Sequence, residues 1–157
     1  MKRLKVYLDT SVISHLDQPD NKEYMEITLE FWEQLVKGEY EIFISEVVLA
    51  ELRRCPEPKK TKLYQKLEQI EYTEILINEE IDNLAERYLD EKIISPKYRD
   101  DAIHIAAATF AECDVLVSWN FKHIVKTKTI FGVNGINKLM GYKEIQLVSP
   151  NMMLEEE

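Results

Sequence analysis

Lys5-Val6-Tyr7-Leu8-Asp9-Thr10-Ser11 decides the fold. Val6, Tyr7 and Leu8 form a continuous apolar run, which suits a short strand buried on both faces. Asp9 stands at the carboxyl end of that strand. Thr10 and Ser11 then open a helix through Val12, Ile13 and Leu16. In open α/β sheets ligands bind at the carboxyl ends of strands. An Asp there, followed by two hydroxyl residues, is a candidate metal or phosphate site. Asp, Thr and Ser are also preferred helix N-caps, so this stretch alone leaves both readings open.

Working outward, Asp17 to Asn21 reads as a turn. A long amphipathic helix follows, with Tyr24, Ile27, Phe31, Trp32, Leu35 and Val36 on one broad face and Gly38 at its end. Glu41 to Ile44 is the second strand, and Ser45 is the expected N-cap of a mostly apolar helix interrupted by Glu51 and closed by Pro56. Lys59 to Ile70 is a further helix, Tyr72 to Ile77 the third strand, and Asn78 the cap of a helix carrying Ile81, Leu84, Ala85, Tyr88 and Leu89. Ser95-Pro96 starts a segment leading into Arg99 to Ala108, apolar nearly all round and therefore expected to be buried. Asp114 to Val117 is the fourth strand. Ile130 to Tyr142 is expected to be partly helical, punctuated by Gly132, Gly135 and Gly141, and Glu144 to Val148 is a short fifth strand.

Strands alternating with helices imply a three-layer α/β sandwich around a central parallel sheet of four to five strands. The length fits one domain, expected over 1–150, with 151–157 as an acidic tail ending in Glu155-Glu156-Glu157. The two cysteines, Cys55 and Cys113, lack metal-type spacing and are expected as reduced thiols, with one bridge left open. Neither a membrane span nor a secretory leader is legible, so a cytoplasmic location is expected. A net charge of −9 argues against a bulk nucleic-acid binder but not against a nuclease, whose metal-holding carboxylates add negative charge. No G-x-G-x-x-G or P-loop pattern is present.

Three carboxylates share a pattern: Asp9 after the first strand, Glu51 on the helix after the second, and Asp101 in the first turns of the buried helix. Ser118 and Asn120 follow the fourth strand. All strand carboxyl ends of a parallel sheet face one edge, so these residues can converge there. Carboxylates held close together repel unless a cation balances them, and hard oxygen donors favour Mg²⁺ or Mn²⁺. Such a cation activates water and stabilises charge on a phosphodiester.

The runs Val6 to Ser11, Ile44 to Leu52, Asp101 to Ala108 and Asp114 to Phe121 together resemble a PIN domain, with the nearest look to VapC-type toxins of bacterial and archaeal toxin–antitoxin pairs. Each motif is weak alone; four in order on the expected elements are specific. The resemblance implies a Mg²⁺- or Mn²⁺-dependent endoribonuclease, with one or two ions. Asp9, Glu51 and Asp101 match its three acidic metal positions. Asn120 falls where many members carry a fourth acid, which reduces the charge for a second metal. Ser118 matches a hydroxyl position, Thr10 and Ser11 are placed for phosphate or a metal water, and Lys122 for substrate phosphate. The resemblance also implies an RNA substrate, a small antitoxin partner and a homodimer.

Asp100 and Asp101 point about 100° apart on a helix, so one faces the site, and the resemblance selects Asp101. His104 reads as a buried, hydrogen-bonded histidine rather than a general base. Trp119 and Phe121 suit either base stacking or the core. Lys122, His123, Lys126 and Lys128 form the one basic cluster near the mouth. A degenerate PIN-like RNA- or protein-binding module is the alternative reading. A haloacid-dehalogenase-type phosphatase needs a second Asp where Ser11 stands, and a receiver domain needs its Asp after the third strand, where Asn78 stands.

Overall fold

A strand without a polar face has to lie inside a sheet, and β1 (Lys5–Leu8) does: Val6, Tyr7 and Leu8 are fully buried in the computed structural model, which describes residues 2–154. β2 (Glu41–Ser45) pairs with it on one side, Val6 opposite Ile42, and β4 (Val115–Val117) on the other, Leu8 opposite Val117. β3 (Tyr72–Ile75) lies outside β2 and β5 (Gln146–Val148) outside β4. Every pairing is parallel, in the order β3-β2-β1-β4-β5. The chain builds outward from β1 in one direction through β3, then crosses to β4. The switch point of the sheet therefore lies between β1 and β4, where a crevice opens at the strands' carboxyl ends.

The helices are α1 (Thr10–Ser14), α2 (Lys22–Val36), α3 (Glu46–Arg53), α4 (Lys59–Leu67), α5 (Glu79–Asp90), α6 (Arg99–Phe110) and α7 (Thr127–Leu139). α1 meets α3 and α3 meets α4, while α5 packs on both α6 and α7. These two groups flank the sheet as an α/β sandwich. α6 is buried from Ala102 to Thr109, as its all-round apolar sequence implies. Asn78 caps α5, accepting a hydrogen bond from Ile81 N at 2.8 Å, and Asn21 caps α2 in the same way. Gly38 ends α2 in the left-handed region, with φ +79°, which favours glycine. Val36, expected on the inner face of α2, is exposed. Cys55 and Cys113 are free thiols.

Several boundaries differ from the sequence expectation. The third strand stops at Ile75 rather than Ile77, because the Ile77 N–H turns to the Glu46 carboxylate at 2.7 Å. The fourth helix ends at Leu67, and the fourth and fifth strands begin at Val115 and Gln146. α7 runs unbroken through Gly132 and Gly135. At Gly132 a Cβ would lie 2.7 Å from Ile93 Cγ1, so this glycine permits close approach instead of punctuating the helix. Beyond Ser149 the chain is not a free tail at once. Pro150–Met153 forms a 3₁₀ turn against α2, with Pro150 buried, and Glu155 to Glu157 lie outside the described residues.

A polar bridge joins the second helical layer. The Tyr88 hydroxyl donates to Asn137 Oδ1 at 2.5 Å, and Asn137 Nδ2 donates to Thr109 Oγ1 at 3.3 Å, all three residues being buried. Tyr88→Phe strands the Asn137 oxygen and is expected to destabilise the fold by about 1–3 kcal/mol. The change is read as a lower urea midpoint at an unchanged m-value.

Candidate functional site

Asp9 sits at the switch point, and its side chain is only 7% exposed. Its backbone occupies the N-cap position of α1, yet its side chain does not cap the helix. Oδ2 instead accepts hydrogen bonds from Ser11 Oγ at 2.8 Å and Ser118 Oγ at 2.6 Å. Ser118 follows β4, and its hydroxyl in turn accepts from Asn120 N at 2.9 Å, while Ser11 Oγ accepts from Trp119 N at 2.9 Å. Two strand ends are thus tied together through one carboxylate. The cap reading of Asp9 is set aside by these partners.

His104 lies one helical turn beyond Asp101, on the same face of α6, and is 1% exposed. Its Nε2–H donates to Glu51 Oε1 at 2.8 Å and lies 3.6 Å from Asp9 Oδ1. Its Nδ1 shares a hydrogen bond of 2.7 Å with the Tyr7 hydroxyl, which bonds Ser45 Oγ at 2.8 Å. Ser45 holds the N-cap position of α3, but its side chain serves this buried chain rather than the helix. Thr10 Oγ1 donates to Glu51 Oε1 at 3.2 Å. Glu51 is therefore engaged by His104 and Thr10, and the alternative pairing with Arg53 or Arg54 leaves only a longer-range attraction to Arg54.

Asp101 is half-buried whereas Asp100 is exposed, so the helix presents only one of the pair. Asn120 Nδ2 donates to Asp101 Oδ2 at 3.3 Å, and Asn120 Oδ1 accepts from His123 N at 2.9 Å. Asn120 turns its NH₂, not its oxygen, toward the acids. Lys122 is exposed on the following loop. Trp119 is buried, stacks on Tyr24 at 3.9 Å and donates from Nε1 to Thr28 Oγ1 at 2.8 Å; this is core packing. Phe121 is exposed.

The electrostatics separate the three acids. Burial and the charge of Asp9 push Asp101 up to about 6, against opposing help from His104 and Asn120. Burial also disfavours ionised Glu51, but the His104 and Thr10 hydrogen bonds and the His104 charge outweigh it and hold its carboxyl below the usual range. Burial lowers His104, and the Glu51 hydrogen bond with the charges of Asp9, Glu51 and Asp101 more than reverses this, so the imidazole is raised. Burial drives the Tyr7 hydroxyl far up, so it remains a neutral hydrogen-bonding group.

The fold thus brings Asp9, Thr10, Ser11, Glu51, Asp101, Ser118 and Asn120 to one edge. Among the described residues, no three His, Cys, Asp or Glu side chains converge as a ready-made metal cluster. Glu51 faces His104, and Asp101 interacts with Asp9 through charge. Sequence reading missed Tyr7 as the partner of His104 and Ser45 as the partner of Tyr7. The signal available was the three-residue spacing of Asp101 and His104 on one helical face.

The PIN-domain family model matches residues 6–122. No curated protein matches the chain. Among solved structures, a chain in the crystal structure of VapBC2 from Rickettsia felis, bound to a DNA fragment from their promoter, superposes with a TM-score of 0.56. Identity is 16%, covering 93% of this chain and 98% of that one, so the likeness is one of fold. The matched family segment spans β1 through the loop after β4 and includes every acid at the switch point, and the chain belongs to the PIN-domain family.

Proposed function

We propose that the chain is a divalent-metal-dependent endoribonuclease. The observation that carries this reading is the excess of negative charge at the sheet's switch point. Asp9 is almost wholly buried, and beside it Asp101 is pushed up to about 6 by burial and by Asp9 itself. PIN-family membership supports the same reading, since such domains are generally metal-dependent nucleases.

The donor set fits Mg²⁺ or Mn²⁺, because the groups facing the crevice are carboxylates and hydroxyls rather than thiols. Asp9 and Asp101 would hold the ion, with Glu51 the third acid once its bond to His104 is shared. A bound ion of this kind lowers the pKa of water and neutralises charge on a phosphodiester. The chain's own residues prepare the place for it. Ser11 and Ser118 both donate to Asp9 Oδ2, which fixes that carboxylate with Oδ1 on the His104 side. Thr10 and His104 fix Glu51. The Asn120 NH₂ steadies Asp101 and brings no charge of its own, so the site lacks a fourth acid for a second ion. Exposed Lys122 provides a cation for substrate phosphate at the rim.

A toxin-like role with a small antitoxin protein as partner goes with this reading, the similar fold being that of a chain in a VapBC2 complex, and a homodimer is the assembly we propose with it. No helix of the described residues is long and apolar enough to cross a membrane. A catalytically silent binding module is the competing reading.

The deciding assay incubates a labelled mixed RNA pool with the purified chain in Mn²⁺, in Mg²⁺ and in EDTA. Cleavage is expected with metal and not with EDTA. Metal stabilisation of a transition state is worth several kcal/mol, so Asp9→Asn is expected to lower kcat/KM by about a hundredfold or more. Well-folded protein that neither cleaves RNA nor binds Mn²⁺ would establish the binding module instead.

Asp101 also sets a pH dependence. The unfolded chain ionises this group near 3.8 and the fold only near 6. Between those values the metal-free fold loses stability as pH rises, because the unfolded state releases the proton first. A cation favours the carboxylate and displaces that proton. Mn²⁺ affinity by calorimetry is therefore expected to climb between about pH 5 and 6, by up to about tenfold per unit for one proton released, and to level off above about pH 7. An affinity independent of pH in that window would show that Asp101 is not at the metal.

A further inference from the structure

A cavity of about 630 Å³ opens between the segment that precedes α6 and the loop that follows Asn120. Its walls come from the turn after α5 and from the loop that leads into α7, and they include Lys92, Ile93, Tyr98, His123, Lys126 and Lys128. The rings of Tyr98 and His123 are stacked, centroids 3.7 Å apart and planes 25° from parallel. In a chain with net charge −9, three lysines around one cavity are a local reversal of sign, opposed there by one carboxylate, Asp90. Among the described residues, none of these lysines is in an ion pair. Partial burial, and after it the charges of Lys126 and Lys122, hold the His123 pKa below its ordinary value.

The cavity is joined to the acids by the chain itself. Tyr98 immediately precedes α6, three residues before Asp101. His123 N donates to Asn120 Oδ1, and the same amide donates to Asp101. Tyr98 and His123, both on the cavity wall, thus flank Asp101 and Asn120 directly in the chain.

We propose that the cavity is a subsite for one unpaired nucleotide of a single-stranded RNA. The base joins the Tyr98–His123 stack, and its flanking phosphates meet Lys92, Lys126 and Lys128. This rests on the ribonuclease reading and deepens it. The volume lies in the range of small-molecule sites. Aromatic stacking accepts any base but requires that the base be out of a duplex, and lysines hold phosphates as point charges. The subsite therefore selects single strands without reading sequence.

The test is fluorescence anisotropy of a fluorescein-labelled, mixed-sequence RNA of about 20 nucleotides with the full chain in EDTA, from about 50 to 200 mM salt. Stacking is worth about 1–3 kcal/mol per base, so Tyr98→Ala is expected to weaken binding by about 5- to 150-fold, while Tyr98→Phe retains it. Lys126→Ala with Lys128→Ala, both exposed positions, is expected to flatten the slope of log affinity against log salt by about 1.4, at about 0.7 per phosphate contact. Unchanged affinity and slope in these variants would overturn the subsite, and so would equal binding of an RNA duplex or displacement of the RNA by polyglutamate. The cleavage assay separates the two proposals. Metal-dependent cleavage with unaffected variants removes the subsite alone. The expected binding losses without cleavage leave the subsite and remove the nuclease reading.

Discussion

Everything at the switch point of the sheet depends on keeping the buried Asp9 carboxylate hydrogen-bonded. An isolated buried carboxylate is strongly disfavoured unless hydrogen bonds or a counter-charge compensate it. Here Ser11 and Ser118 supply two short hydrogen bonds to one oxygen, and the raised imidazole of His104 stands 3.6 Å from the other. The arrangement compensates one acid but not two, and Asp101 carries the remainder as a pKa near 6. That residual imbalance is the physical reason for assigning a cation to the site.

The fold supplies these partners from separate parts of the chain. β1 and β4 are adjacent and parallel, so the residues after Leu8 and Val117 emerge side by side, and Asp9 N bonds Val117 O at 3.1 Å. The apolar surround of α6 lets His104 sit in the core, where Tyr7 of the central strand and Glu51 of α3 take its two nitrogens. The strand, the two helices and the acid are thereby locked into one buried polar network, whose members strengthen one another in a low-dielectric interior. Next to it the Tyr98–His123 stack and its lysines reverse the sign of the surface. The overall acidity of the chain and a local capacity for phosphates are therefore compatible.

Much of this was legible in the sequence because it is local. The apolar run Val6 to Leu8, the all-round apolar α6, the cap at Asn78 and the segment start at Ser95-Pro96 need only periodicity and local chain chemistry to be read. Placing Asp9, Ser118 and Asn120 at one edge needed only the parallel sheet. What escaped was tertiary. Gly132 looks like a helix breaker until Ile93 is found against it, and Ile77 looks like strand until Glu46 takes its N–H. Ser45 has the residue type of a cap, but the Tyr7 hydroxyl claims it. Asn120 stands at an acid position of the family, but the His123 N–H holds its amide oxygen and leaves the NH₂ facing Asp101. Tyr98 gave no signal at all, since its stacking partner is distant in sequence.

The most direct test of a cation-balanced site is an anomalous difference map from crystals of the chain grown with Mn²⁺ above pH 7. The account predicts a peak at the switch point of the sheet, within about 2.0–2.6 Å of oxygens from both Asp9 and Asp101, with His104 still bonded to Tyr7. A crystal in which Asp9 keeps only its serine partners and no peak touches either acid would contradict it.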